Sequence, residues 1–259
     1  MFLIPDWPAP KHIKALCTTR EGGRSLPPFE SFNLALHVGD DPEDVEWNRQ
    51  QLSKQAQLPS TPFWLDQQHT DVAIELRHNS IPKISPPPIA DASWTTQKGC
   101  VSIVMTADCL PLLITNKQGT LVSAIHAGWK GLHLGIVTKT ITEVLLKEKS
   151  IQAEDLLVWI GPAISAKHFE VGQDVLDSFV RKESNNRAFF TEIAPQYRSI
   201  SEPKYLADLV GMVRQELNNM GVTEVFGGEF CTYAQSDLFY SYRRSGKTGR
   251  IASCIWIQS

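Results

Sequence analysis

The chain is poor in cysteine and has no cysteine motif. Cys17, Cys100, Cys109, Cys231 and Cys254 are odd in number and widely spaced over 259 residues. Such a set fits a reducing compartment better than a disulfide framework and leaves at least one thiol for chemistry. Long apolar runs are missing too: no segment approaches the roughly 18 residues of a membrane span. The opening Met1-Phe2-Leu3-Ile4-Pro5-Asp6-Trp7 lacks the basic region and apolar stretch of a secretion signal. The expected location is the cytoplasm, with no membrane partner. Nor is there an excess of positive charge, since 25 Lys+Arg against 28 Asp+Glu leave a net charge of -3. That balance provides no broad basic field and argues against a nucleic-acid partner. There is no repeat or low-complexity tract. The nearest thing to a linker is residues 81–88, whose prolines force an extended path.

What is present is ordinary globular material, 42% hydrophobic and 20% charged. The length is near the upper limit for one hydrophobic core, and a single domain over 1–259 is expected. Runs rich in β-branched and aliphatic residues recur at 72–76, 101–105, 111–115, 121–125, 156–160, 223–226 and 251–257 and predict strands. Leu134, Val137, Ile141, Val144 and Leu145 share one helical face, as do Leu206, Leu209, Val210, Val213, Leu217 and Met220, with Gly221 closing the second helix. Val175, Leu176, Phe179 and Val180 mark a third. The expected fold class is α+β: mixed α/β layers, with mixed β-sheets covered by helices. The strand order is too irregular to read as a doubly wound parallel sheet.

Three residues carry the chemistry: His69 in QQHTD, Cys109 in TADCLP and His126 in AIHAGW. Two neutral imidazoles and a thiolate suit zinc or copper, and three protein ligands leave a fourth position open, as in a catalytic zinc site. Cys109 is expected just past strand 101–105, and His126 at a strand-to-helix turn before Gly128 and Gly131, where a sheet protein assembles sites. Three rivals stand beside this reading. The first is a cysteine hydrolase with Cys109 as nucleophile and His126 or His69 as base, with Asp108 weakly against it because a neighbouring carboxylate raises a thiol pKa. The second is a copper oxidase, disfavoured because there is no His-x-His pair and only seven histidines in all. The third is a nucleobase deaminase, whose His-x-Glu and Pro-Cys-x-x-Cys signature is absent.

The words QQHTD, MTADCLPLL, AIHAGWKG, WIGPAIS, FEVG and FYSYRRSGKTGR resemble the bacterial laccase-domain family. The N-terminal Thr18-Thr19-Arg20-Glu21-Gly22-Gly23 and the stretch from Phe32 to Asp40 extend the resemblance over nearly the whole chain. It implies a zinc-dependent purine nucleoside phosphorylase that accepts adenosine, inosine and methylthioadenosine, with adenosine deaminase activity. It also implies a fold similar to that of the Cys-His deamidase toxins. Older labels for the family are polyphenol oxidase and multicopper laccase, with copper as the alternative ion, and a peptidoglycan-editing role is attached to bacterial members. That role corresponds to a rival amidohydrolase using Cys109 directly. The family's metal ligands map onto His69, Cys109 and His126.

Phosphorolysis asks for a phosphate site, a ribose and purine site, and a proton donor. Arg20, Lys130, Arg243 and Arg244 are the candidates for phosphate. Asn33 is the candidate for ribose or base, and Trp129, Phe169 and Tyr242 for stacking. Asp91, Asp108 and Glu170 are the candidate carboxylates for proton transfer, with His37 and His168 behind them. The catalytic set is therefore Cys109, His126, Asp91 and Glu170. The sequence leaves open whether the chain works as a homodimer.

Overall fold

The structure, a computed structural model, describes residues 2–77, 86–194, 196 and 202–258. Its strands are β1 (Phe2–Leu3), β2 (Ile13–Thr18), β3 (Ala73–Glu75), β4 (Ala92–Thr95), β5 (Val101–Thr106), β6 (Leu110–Asn116), β7 (Val122–Ala127), β8 (Leu156–Ile160), β9 (Glu170–Gly172), β10 (Phe190–Glu192), β11 (Lys204–Ala207), β12 (Glu224–Gly227) and β13 (Ile251–Ile257). Its α-helices are α1 (Pro42–Gln55), α2 (Trp129–Leu134), α3 (Ile136–Lys147), α4 (Gln173–Lys182), α5 (Leu209–Asn219) and α6 (Tyr242–Ser245).

A six-stranded sheet of order β12-β8-β6-β7-β4-β3 packs against a four-stranded sheet of order β1-β2-β13-β5. Alternation along each strand builds the layers, because successive side chains point to opposite faces. Leu112, Ile114, Val158 and Ile160 face α3, α4 and α5, whereas Leu113 and Trp159 face Val104, Ile251 and Ile255 of the other sheet. The far side of the four-stranded sheet is covered by Leu52 of α1, packed on Leu16, Ile103 and Cys254. Strands buried on both faces read as continuous apolar runs, which is why LPLLIT and IASCIWI stand out in the sequence. A three-stranded sheet of order β10-β11-β9 stands apart.

The expected α+β layering is present, and the large sheet is mixed: β12 and β3 pair parallel with their neighbours, while the central pairs are antiparallel. Two helical assignments need correction. Leu134 does not share the face of α3. It ends α2, is 48% exposed, and is cut off by Gly135 at φ 89°. Leu206 lies in β11 rather than at the head of α5, which begins at Leu209 after Asp208 caps the Gly211 amide. Helix α1 escaped the apolar pattern because it buries little, chiefly Val45, Asn48 and Leu52. Its start is nonetheless written in the sequence as an Asp41 cap, Pro42 and an acidic first turn. Strand β4 escaped because Ala-Ser-Trp-Thr shows no apolar alternation although all four residues are buried. Its hydroxyls are satisfied internally, Ser93 with Ser102 at 2.6 Å and Thr95 on the Leu76 carbonyl at 2.8 Å. Of the proline-rich stretch at 81–88, residues 81–85 lie outside the described residues. Among the described residues no helix is long and apolar enough to cross a membrane.

Candidate metal centre

Three chain segments meet at one end of the large sheet. Cys109 sits in the turn between β5 and β6, His126 is the penultimate residue of β7, and His69 lies in the loop before β3. One donor atom from each falls within 4.8 Å of the others, so the trio could hold a metal ion. Cys109 Sγ is 3.6 Å from His69 Nε2. A tetrahedral ion with bonds of about 2.3 Å to sulfur and 2.0–2.1 Å to nitrogen separates those ligands by about 3.6 Å, so the donor set fits such an ion without rearrangement. The two imidazoles meet edge to face at 4.8 Å between centroids.

Backbone conformation aims these donors. His69 and Asp108 both have left-handed φ, +61° and +96°, a conformation that costs a non-glycine residue free energy and persists only where its surroundings enforce it. For His69 the enforcing group is Asp91. Its fully buried carboxylate accepts from the amides of His69 and Thr70, from the Thr70 hydroxyl, and from His126 Nδ1 at 2.7 Å. His126 therefore turns Nε2 toward the sulfur. Gln67 secures the same loop with a two-point bond to the main chain of Met105, 2.8 Å each way. Gly128 leaves the room: a Cβ there would stand 2.5 Å from His69 Cδ2 and 2.9 Å from the Cys109 sulfur.

In the metal-free protein the same groups polarise one another. Burial alone would raise the Cys109 thiol, but His126, as charge and as hydrogen-bond partner, and His69 bring it down to about 6. Burial alone would lower His126, and it is outweighed by Cys109 and by the Asp91 hydrogen bond, which lift it to about 9. Asp91 is held below the usual carboxylate range: burial opposes this, but His126 and Thr70 prevail. The Asp108 carboxylate, carried on a left-handed turn, is engaged elsewhere. It takes the Thr232 hydroxyl at 2.7 Å and the Arg243 amide at 2.6 Å, while its carbonyl takes the Ile164 amide at 2.9 Å. Asp108 thus ties three loops to the residue next to Cys109.

The remaining residues singled out in the sequence lie outside the donor trio. Arg243, exposed, reaches the Glu170 carbonyl at 2.6 Å and lies 5.1 Å over the buried Phe169 ring. Lys130 is exposed near Trp129, close behind Gly128. Tyr242 is 61% exposed at the head of α6. Arg20 and Arg244 hold loops together instead, Arg20 on the carbonyls of Glu30 and Ser236, and Arg244 on those of Thr232, Tyr233 and Phe239. Asn33 is fully buried, bonded to Ala35, Asp40 and Arg250. His168 stacks on Tyr233 at 4.6 Å. His37 is held below the usual histidine range by desolvation and by Arg250. Gln67, Thr70, Thr232 and Arg250 do not stand out in the sequence as site residues. The signal available was that Gln67 and Thr70 flank His69 in QQHTD, and that Arg250 closes the word GKTGR.

A centre of two imidazoles and a thiol at one end of a mixed sheet stacked on an antiparallel one defines a class, and comparison with known proteins agrees with it. Residues 14–258 match the family described as multi-copper polyphenol oxidoreductase laccase, and the chain belongs to that family. It is 43% identical over 256 residues to "Purine nucleoside phosphorylase YfiH" of Escherichia coli (strain K12), covering 99% of this chain and 98% of that protein. It is 42% identical over 257 residues to "Purine nucleoside phosphorylase PA4543" of Pseudomonas aeruginosa, with the same coverage. Among solved structures, Neisseria meningitidis protein NMB0706 superposes with a TM-score of 0.89 at 41% identity, covering 100% of this chain and 99% of that one. YlmD from Geobacillus stearothermophilus superposes at 0.86 with 29% identity, covering 100% and 96%.

Proposed function

We propose that this protein is a zinc-dependent purine nucleoside phosphorylase formed by one domain over 1–259, cleaving adenosine, inosine or methylthioadenosine with phosphate. The observation that carries the reading is the 3.6 Å approach of Cys109 Sγ to His69 Nε2 with His126 facing both, in a chain whose full-length relatives are named for this activity. A phosphate oxygen forms the new bond to C1′ of the ribose as the bond from C1′ to the purine nitrogen breaks. The purine keeps that electron pair and takes up a proton. A bound zinc ion would supply Lewis-acid polarisation of a phosphate or substrate oxygen, held by His69, Cys109 and His126.

The chain's own groups divide the rest of the work. Asp91 orients His126 and braces the His69 loop, and the carboxylate is thereby spent. Asp108 is likewise spent on Thr232 and Arg243. That leaves Glu170, exposed and joined through its carbonyl to the Arg243 guanidinium, for proton transfer to the purine. Tyr242 offers an open ring for the base, and Arg243 and Lys130 contribute positive charge. The same centre would serve hydrolytic deamination of adenosine.

One observation favours a second reading. Cys109, His126 and Asp91 also have the order of a nucleophile, a base and its orienting carboxylate, as an amidohydrolase acting on cell-wall peptides would need. His69 speaks against it, because a dyad has no use for a second imidazole at the sulfur. The deciding experiment is a phosphate-dependent assay on the three nucleosides, with metal content measured on the same sample. Turnover that requires phosphate and bound zinc is expected. Full turnover after metal removal, or none with phosphate and zinc present, would overturn the proposal. Under the second reading alkylation of Cys109 would be immediate; under the first it awaits a chelator.

A further inference from the structure

The sequence offered four basic side chains for phosphate, yet two of them, Arg20 and Arg244, direct their guanidinium hydrogen bonds at backbone carbonyls. A different arginine is placed for the task. Arg250 precedes β13, and its backbone amide is anchored on Asn33 Oδ1 at 2.9 Å. Its side chain is half-buried. Only Nη1 is engaged, with the carbonyls of Thr248 and Gly249 at 2.9 and 3.0 Å. Among the described residues, Nε and Nη2 have no hydrogen-bond partner and no carboxylate within ion-pair distance. Asp108 lies within electrostatic reach, but both its oxygens are taken by Thr232 and Arg243. The guanidinium also lies 5.8 Å from the exposed Tyr242 ring.

A cation taken partly out of water with no anion in ion-pair contact is costly, and an incoming oxyanion relieves that cost. Two of Arg250's five donors remain on one edge of a planar fork, the geometry that receives two oxygens of a tetrahedral anion. Ile251 pairs with Thr106 in the β13–β5 register, so Arg250 stands one step beyond, level with Ala107 at the entry to the turn that carries Cys109, and an oxyanion held there would lie beside the candidate metal centre. Desolvation lowers the Arg250 pKa, and Cys109, Asp108 and Tyr242 offset part of that.

We infer that the free edge of Arg250, rather than Arg20 or Arg244, binds the phosphate co-substrate beside the Cys109 centre. This assignment rests on the phosphorolysis reading for the identity of the anion.

The test is equilibrium titration of the zinc-loaded full chain with inorganic phosphate, by calorimetry or phosphorus NMR. It is repeated with inosine alone and accompanied by metal content and circular dichroism. Arg250→Met should weaken phosphate binding roughly 10–150-fold, the worth of charge-assisted hydrogen bonds, with zinc content and inosine affinity unchanged. Arg250→Lys should recover part of the loss, since a point charge replaces the fork; if the Met variant does not fold, the Lys variant decides, with phosphate binding weaker than in the parent protein. Unchanged phosphate affinity, or equal losses for phosphate and inosine, would overturn the assignment. If the parent protein binds phosphate through Arg250 but cleaves no nucleoside, the phosphorylase reading fails and the oxyanion site stands. If it cleaves nucleosides and the variants keep the parent's phosphate KM, only Arg250 is removed from the site.

Discussion

Nδ1 of His126 lies 2.7 Å from Oδ1 of Asp91, and the two residues face each other one step beyond the Ala92–Ile125 pair of β4 and β7. The same carboxylate receives the amides of His69 and Thr70, so one buried acid sets the direction of two of the three donors. Asp91→Asn keeps the volume but replaces an oxygen that accepts with an amino group that cannot. We expect a folded protein whose metal affinity is down roughly 10–100-fold, the usual cost of removing such an outer partner. Competition against a fluorescent chelator measures it, and parental affinity in the variant would show that Asp91 does not set ligand direction.

Removing a donor should act more sharply. Cys109→Ala and His69→Ala each take away one of three protein ligands at the edge of the fold rather than in its core, since both residues are half-buried. Bound metal and metal-dependent turnover should be lost while far-ultraviolet circular dichroism is unchanged. Stoichiometric metal in either variant would place the ion elsewhere.

The metal-free protein should show a thiolate where an ordinary cysteine is still protonated. The Cys109 pKa falls from 9.0 to about 6, so its contribution to stability is fully present above 9.0 and is lost as pH falls through about 6. The His126 pKa rises from 6.5 to about 9, so its contribution is fully present below 6.5 and is lost as pH rises through about 9. The pair therefore supports the fold between these limits. Protons should compete with metal once pH drops below about 6. Thiolate ultraviolet absorbance of the chelator-treated protein, absent in Cys109→Ser, should develop around pH 6; a transition near the ordinary thiol value would contradict the proposed coupling.

Gly128 can be tested by adding one methyl group. Its Cβ would stand 2.5 Å from His69 Cδ2, so Gly128→Ala must push the His69 ring away from the sulfur. Overpacking of this kind costs about 1–3 kcal/mol, and the displaced ligand should weaken metal binding as well. Thermal melts and metal content report the two effects separately. A variant with parental values for both would mean that the loop yields without cost.

Much of this protein is legible in its sequence. LPLLIT, LLVWI and IASCIWI are apolar because their strands are covered on both faces, and such runs announce a layered sheet by themselves. The positions lost from that reading were those where burial and apolarity part company. Ser93, Thr95 and Ser102 are buried polar residues whose hydroxyls find partners inside the fold, Ser93 and Ser102 with each other across the two stacked sheets and Thr95 on the Leu76 carbonyl. Leu206 is an apolar residue that continues the helical spacing of α5 but belongs to β11.

The chemistry of the site divides in the same way. Local sequence by itself determined which donors exist, two imidazoles and a thiol in a loop, a turn and the end of a strand, because residue type and local backbone preference are properties of a few neighbours along the chain. Their meeting was decided by tertiary structure alone: His69 and Cys109 are separated by 40 positions, and only the pairing register of β4, β6 and β7 and the buried Asp91 brace bring them within bonding reach of one ion. The same holds for the arginines, whose side chains are identical on paper. Which of them is consumed by backbone carbonyls and which retains free donors depends on the carbonyls that packing places in front of each one, and that is a property of three-dimensional neighbours rather than of sequence.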